Sequence, residues 1–449
     1  MAYHESAPHW LEARLQRLGK GELKAQLWNA FVDSELLGIT DDDCAAWPRV
    51  LPASCLPAIW SSARAISSFV MRLLSLPEAE LRAILPHTPV AEFLLDELKV
   101  LSHRGKRLTG SFRFDMAIEG PPHADNPPKL LEINEIGFDG TARSSHIQRA
   151  FLTLLPELAT RLQTFDTAAS ETHNMRRLGK SLLRLQYDSY NWEEQVLAET
   201  GKRCGLDLRM VSPTAFACEL DPDCVRLARA RLSLEAGRLR VAGDPRPCDS
   251  WQMGYSFDLK DYQEAPGFFA MLARAKTPQY GPFLSALVAS KSILVLLSDP
   301  ALRRRLLDAQ ENRTLERALP PAWPLSDRLG EVRAHARPWV LKHVDSMGGE
   351  QVFVGREIRP QLRKIKPRRI PEWVVQRRIR LNTIDVHGIL SRPRRVMADL
   401  GVFIHYDWTG DRFANFAVGG FITRATNRST KVNVSGGGIQ VPVMFDRQA

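Results

Sequence analysis

A change of hydrophobic period a little past residue 100 restricts this fold more than any other feature. Before it, apolar residues recur at spacings of three and four: Trp10, Leu11, Leu15 and Leu18, then 58–74 and 77–85. That spacing predicts amphipathic helices. Gly19 and Gly21 end the first, and Ser75-Leu76-Pro77 separates the other two, with Pro77 and Glu78 suited to a helix start. After it, Gly110-Ser111-Phe112-Arg113-Phe114-Asp115-Met116-Ala117-Ile118 alternates apolar and polar, as a half-buried strand does. A proline-rich loop over 120–128 leads into a second strand, Lys129-Leu130-Leu131-Glu132-Ile133-Asn134. The two read as a hairpin-like pair with acids and an amide at its exposed end.

Helical spacing returns over 146–160. Two short apolar runs, 181–185 and 206–211, then flank a helical stretch at 192–203 that ends before Gly205. A strand–helix–strand unit predicts a parallel sheet. No glycine fingerprint follows its first strand, which excludes a dinucleotide fold. A helical stretch is expected from Pro278 to about residue 307. Beyond Pro338 the runs at 339–342, 351–354, 373–376 and 401–404 predict short strands.

With 449 residues, 44% hydrophobic and 25% charged, the chain can build a large core in two or three lobes. No stretch reaches the about 18 uncharged apolar residues of a membrane helix; the longest, 283–297, already contains Lys291. Met1-Ala2-Tyr3-His4-Glu5 has no secretory pattern, so a cytoplasmic protein with no membrane partner is expected. The six cysteines form no CxxC pair and do not cluster with histidines, which fits free thiols rather than a zinc site. Much of the net charge of +10 sits in 359–380, where Arg363, Lys364, Lys366, Arg368, Arg369, Arg377, Arg378 and Arg380 crowd together. Such a run serves nucleic acid or surrounds a polyphosphate site. Only Trp373 interleaves as a stacking platform, so nucleic acid is the lesser expectation.

Three constellations carry chemistry. Val340-Leu341-Lys342 followed by Asp345-Ser346-Met347-Gly348-Gly349 delivers a lysine and then a turn whose glycines let backbone N–H groups approach a phosphate; an ordinary hairpin turn has the same look. Glu132 and Asn134, two apart on a strand, share a face and make a pair of hard oxygen ligands for Mg²⁺, or else a solvated strand end. Val374-Val375-Gln376-Arg377-Arg378-Ile379 runs from apolar to polar, and can offer backbone groups to an adenine edge or stand as an edge strand.

In this order and combination, the residues resemble the eukaryotic-type glutathione synthetases, which are circularly permuted ATP-grasp enzymes. There too the Glu-Ile-Asn precedes the lysine–glycine strand. Arg113 and Asp115, Ala275-Lys276-Thr277-Pro278, Ala289-Ser290-Lys291 with Leu297-Ser298-Asp299-Pro300, Asp399-Leu400-Gly401-Val402-Phe403, and Thr423-Arg424 are similar to further motifs of that family. Val432-Asn433-Val434-Ser435-Gly436-Gly437-Gly438 is nearer still to permuted ATP-grasp proteins of bacterial gene clusters. Gln252, before Gly254 and Tyr255, stands where the family has a substrate-contacting arginine; Ser346 stands where it has a metal-binding glutamate, and Thr426 where it has a lysine.

The resemblance implies an α+β or α/β chain: a permuted ATP-grasp fold with a helical N-terminal part and an α/β substrate-binding domain. Residues 1–165 would combine the helices with the metal-ligand strands, 166–265 the substrate domain, and 266–449 the nucleotide region with a glycine-rich lid. It implies an ATP- and Mg²⁺-dependent carboxylate–amine ligase acting through an acyl-phosphate. Arg113 and Arg424 would clamp the carboxylate, and Lys291, Lys342, Gly348, Gly349, Gln376, Arg377, Arg378, Ile379 and Asp399 would contact ATP. Tyr255, Ser435, Gly436 and Gly437 would bind substrate with the arginines, and Glu132, Asn134 and Asp345 would hold the metal. Its partners would be a small-molecule or peptide carboxylate and an amine, in a homodimer. A ligase for a ribosomal peptide or a polyamine, a non-catalytic ATP-binding protein and a nucleic-acid module are the alternatives.

Overall fold

The computed structural model describes residues 3–6, 8, 10–11, 48–85, 88–100, 107–135, 140–186, 189–190, 192–215, 225–226, 229–254, 259–346, 351–386, 394–426 and 439–449. The helix expected over 10–18 lies outside them apart from Trp10 and Leu11.

Along the chain, β1 (Arg49–Pro52) leads into α1 (Leu56–Leu74) and α2 (Glu78–Ile84). The predicted pair follows as β2 (Leu108–Ala117) and β3 (Lys129–Asn134). Next come α3 (Thr141–Leu154), α4 (Thr167–Arg176), β4 (Ser181–Leu185), α5 (Trp192–Arg203), β5 (Asp207–Pro213), β6 (Ser250–Met253) and β7 (Gln279–Tyr280). After α6 (Ile293–Ser298) come β8 (Ala322–Pro324), α7 (Leu325–Ala334), β9 (Trp339–His343), β10 (Val352–Val354) and β11 (Trp373–Arg377). The chain finishes with β12 (Thr383–Val386), β13 (Arg394–Ala398), β14 (Leu400–Thr409), β15 (Arg412–Thr426) and β16 (Ile439–Asp446).

One mixed sheet runs β5-β4-β6-β7-β2-β14-β15-β13-β12, with β3 also on β2 and β16 also on β15. The β4–α5–β5 unit is parallel, as its pattern predicted. A second, antiparallel sheet, ordered β8-β11-β9-β10, has its own core of Leu325, Val332, Trp339, Leu341, Trp373 and Val375.

The long strand β2 joins two kinds of sheet. Thr109, near its start, pairs in parallel with Tyr280 of β7. Farther on, the same edge pairs antiparallel with β3. The carboxyl ends of β7 and β3 therefore meet beside residues 111–113, and a sheet opens a crevice at such a change of direction. The other edge of β2 is covered along its length by β14.

β2 departs from its predicted half-burial: all ten residues are buried. Its apolar face packs Phe112, Phe114 and Met116 into one core with Ile66, Phe69 and Val70 of α1. Each such side chain contributes about 1.5–3 kcal/mol of hydrophobic stabilisation. Its polar face is buried too, because β14, β15 and α4 bring hydrogen-bond partners to it, and a buried polar group with partners is tolerated.

Two helices are shorter than their periodicity predicts. The stretch 146–160 divides into α3 and a 3₁₀ turn at Pro156–Thr160, since Pro156 cannot continue the hydrogen-bond ladder. The stretch after Pro278 divides into a 3₁₀ segment, Phe283–Val288, and α6, so Lys291 sits in the turn between them rather than on a helix. No helix among the described residues is long and apolar enough to cross a membrane.

Candidate active site

The site grows from the β2–β3 ladder, where Arg113 faces Asn134 and Asp115 faces Glu132. Residues two apart on a strand share a face, so four polar side chains gather on one side. Asp115 is their centre. It accepts hydrogen bonds from Arg113 Nε at 2.9 Å and Asn134 Nδ2 at 2.8 Å, and Arg424 Nη2 lies 2.7 Å away. Burial opposes its charge, but the guanidinium groups of Arg113 and Arg424 overcome that and hold the carboxyl well below the usual range. Arg424 is fixed from the other side by Asp399, whose Oδ1 accepts its backbone N–H at 2.8 Å and whose Oδ2 accepts Nε at 2.9 Å. Gly401, between these strands, has no room for a side chain: a Cβ there would lie 2.8 Å from Ile422 Cγ2.

Two lysines approach from the other sheet and its neighbouring turn. Lys342 of β9 donates from Nζ to the carbonyl of Leu131 at 2.7 Å, and Gln376 of β11 donates to that of Leu130 at 3.2 Å. The small sheet thus grips the backbone of β3 next to Glu132. Burial pulls the Lys342 ammonium down to about 8, against the attraction of Glu132 and with the repulsion of Lys291. The turn holding Lys291 is tied to the end of β9 by its own N–H to the Val344 carbonyl, 2.8 Å. Its Nζ lies 4.0 Å from Glu132 Oε2 and donates to the carbonyl of Ser346. Asp345 lies on the same turn as Ser346. Burial pushes its carboxyl up, and its Oδ1 has no hydrogen-bond partner among the described residues.

The structure therefore gathers Arg113, Glu132, Asn134, Lys291, Lys342, Asp345, Asp399 and Arg424, with Gln376 at the edge. The expected adenine-binding segment is more committed than its sequence implies. The N–H groups of Arg377 and Arg378 donate to the carbonyls of Pro321 and Pro338, both at 2.9 Å. The Arg377 guanidinium packs 4.1 Å from the Trp339 ring centroid and pairs with Glu331. Ile379 follows directly and is half-buried. Tyr255, Gly348, Gly349, Ser435, Gly436 and Gly437 lie outside the described residues.

Sequence reasoning gave no role to two residues. Asp115 was legible from its spacing to Arg113. Arg49, which pairs with Glu5 and donates to the Asp399 carbonyl at 2.7 Å and Thr423 Oγ1 at 2.9 Å, carried no signal, since its partners at the cluster lie 350 and 374 residues away.

Among the described residues, no group of three or more His, Cys, Asp or Glu is placed to hold a metal ion by itself. Glu132 and Asn134 still suit Mg²⁺. Asp115 engages the Asn134 amide nitrogen, leaving that residue's oxygen as a donor, and Mg²⁺ commonly takes one or two protein oxygens with phosphate oxygens completing its shell.

No protein-family model and no curated protein matches the chain. A solved structure does: a glutathione synthetase-like effector from Globodera pallida, in its apo form. It superimposes with a TM-score of 0.67 at 12% identity, over 94% of this chain and 96% of that one. At that identity the likeness speaks for the fold alone, and the chain has a glutathione synthetase-like fold.

Proposed function

We propose that this protein is an ATP- and Mg²⁺-dependent carboxylate–amine ligase of the permuted ATP-grasp kind. The observation that carries the reading is the convergence of Lys291, Lys342, Arg113 and Arg424 on the Glu132–Asn134 strand end. Four cationic side chains meet four carboxyls there: Asp115, Glu132, Asp345 and Asp399. The cluster is neutral when all are ionised, so a triphosphate needs a divalent cation with it. Glu132 and Asn134 are the residues to hold that cation, which would screen the phosphate charge.

A carboxylate is a poor electrophile. Its oxygen attacks the γ-phosphorus of ATP, the bond to the β-phosphate oxygen breaks, and ADP leaves. The amine then attacks the acyl carbon, loses a proton, and inorganic phosphate departs. Such phosphoryl transfer depends mostly on positioning and charge stabilisation. Lys342 and Lys291 hold phosphate oxygens in place of the carbonyls they now bond. Arg424, fixed by Asp399, and Arg113 present guanidinium edges to the substrate carboxylate, a geometry that suits bidentate binding.

The test is ADP release by the purified protein with Mg²⁺-ATP and pools of amino acids, short peptides and polyamines. Release that needs both a carboxylate and an amine supports the ligase. Failure to bind ATP at all defeats it.

A further inference from the structure

Between residues 356 and 380 the chain carries ten cations and two acids, a net of +8 out of its +10. A run that surrounded a polyphosphate would lie on the face of the small sheet that meets β3. Most of this one does not. Side chains alternate across a strand, so Lys342 of β9 and Gln376 of β11 reach the β3 backbone from one face. Trp339, Leu341, Trp373 and Val375 are on the other face, where they pack against Ile358 and Leu362 of a short helix, Ile358–Leu362. Ile365, and Ile370 of the 3₁₀ turn Pro367–Glu372, pack against the same core. The small sheet therefore stands between these basic segments and the charged cluster.

With the isoleucines turned inward, Arg363, Lys364, Lys366 and Arg368 are exposed. The acids nearby are already engaged. Glu372 pairs with Arg369 at 2.7 Å and with His343 at 3.1 Å, Glu331 pairs with Arg377 and Arg328, and Glu357 accepts the Val354 N–H at 3.0 Å. None of the four exposed cations has a hydrogen bond or ion pair among the described residues. Arg359 Nη2 donates to the Ala334 carbonyl at 2.9 Å, which joins this patch to the end of α7, where Arg333 and Arg337 are exposed as well. So many like charges without counter-charge repel one another, and a polyanion relieves that repulsion.

The surroundings narrow the polyanion. A single strand needs free aromatic faces for its bases. Here Trp323 carries Arg328 on its ring, Trp339 carries Arg377, and Trp373 is buried against His343 and Phe353. The lack of stacking platforms that made nucleic acid the lesser expectation thus weighs against single strands alone. An acidic peptide would be held by exposed ion pairs, which are individually weak, with no exposed large apolar anchor; among the described residues those are Tyr3 and Trp60, both outside this core. A duplex keeps its bases stacked inside and presents closely spaced phosphates, whose condensed counterions are released on binding. Guanidinium forks suit phosphate oxygens. We propose that the outer face of the small sheet, built on Arg363, Lys364, Lys366 and Arg368, docks the phosphate backbone of a nucleic-acid duplex without reading its sequence.

The experiment is fluorescence anisotropy of the full chain with a labelled mixed-sequence duplex about two helical turns long, as DNA and as RNA. Four phosphate contacts predict that log K falls against log salt with a slope of about −3 to −4, so that affinity drops about 10²-fold between about 50 and 200 mM salt. Replacing all four cations (Arg363→Gln, Lys364→Gln, Lys366→Gln, Arg368→Gln) is expected to weaken binding at least about tenfold at low salt and to flatten the slope by about 3. Because the four side chains are exposed, the melting temperature should not move. A control with the same net charge takes four exposed cations outside the small sheet (Lys202→Gln, Lys260→Gln, Arg274→Gln, Arg412→Gln) and should bind as the wild type does. Lys342→Met should bind the duplex unchanged, since Lys342 faces the cluster. The proposal is overturned if neither duplex binds at low salt, if the control loses as much affinity as the quadruple variant, or if Lys342→Met weakens the duplex complex. It is overturned equally if polyglutamate or vesicles containing phosphatidylserine bind this face as tightly as the duplex.

Discussion

The polar face of β2 meets two different environments along one strand. Near its start, Ser111 Oγ donates to Glu171 at 2.8 Å and lies 2.5 Å from the Tyr280 hydroxyl and 2.7 Å from His405 Nδ1, while Asn174 donates to Tyr280 at 3.0 Å. Helix α4 supplies Glu171 and Asn174 and closes the knot. Two and four positions farther on, Arg113 and Asp115 enter the charged cluster. The knot has one carboxylate and a histidine whose pKa burial lowers, against the attraction of Glu171. The cluster has four cations, two of them hydrogen-bonded to nothing but backbone carbonyls among their described hydrogen bonds. Similar side chains thus make a closed joint where a helix covers them, and, on the proposed reading, a receptive site where two lysines hold carbonyl acceptors that a phosphate would replace.

Substitutions at either end sharpen the contrast. Asp115→Asn leaves two buried guanidinium groups without their shared carboxylate, and is expected to cost about 3–5 kcal/mol in urea unfolding. A loss below 1 kcal/mol would mean the cluster is not braced through Asp115. Lys342→Met is expected to reduce ADP release by about 10²–10³-fold while leaving the circular dichroism and melting temperature close to wild type. Retention of activity within a factor of about three would remove the chemistry from this end of the strand.

The knot should respond in stability alone. Gly419→Ala would set a Cβ 1.9 Å from His405 Nε2, and overpacking of that kind costs about 1–3 kcal/mol. ADP release per folded molecule should be unchanged; a matching fall in activity would show that knot and cluster are one unit. The smallest effect is on pH dependence. Burial lowers the folded pKa of His405, more than Glu171 raises it, so the unfolded chain takes up a proton that the folded chain refuses. This contribution is present above the unfolded value of about 6.5 and is lost as pH falls from there toward the lowered folded value. His405→Gln should flatten the unfolding free energy over that window. An unchanged slope would assign the dependence to other groups.

How much the sequence disclosed follows from the range of the interactions. The β2–β3 pair, the β4–α5–β5 unit and β9 to β11 rest on local periodicity and were legible. So were the strand positions of Glu132, Asn134 and Lys342, because each is set by its own strand. The full burial of β2 was not, since α4, β14 and β15 supply the partners from 60 to 309 residues away. The turn at Lys291 was hidden inside an apolar run that reads as helix.

The reach of the Asp115–Arg424 pair has a consequence for synthesis. At about 5–20 residues per second, a ribosome needs about 15–60 s to travel the roughly 300 positions between them. Throughout that interval β2 has emerged without β14 on its far edge, and its acidic centre is without one of its two arginines. The cluster therefore cannot mature before Arg424 has emerged. A message cut short before β14 would yield a product with β2 as an exposed edge, open to pairing with other chains, so β14 shields that edge as well as walling the site.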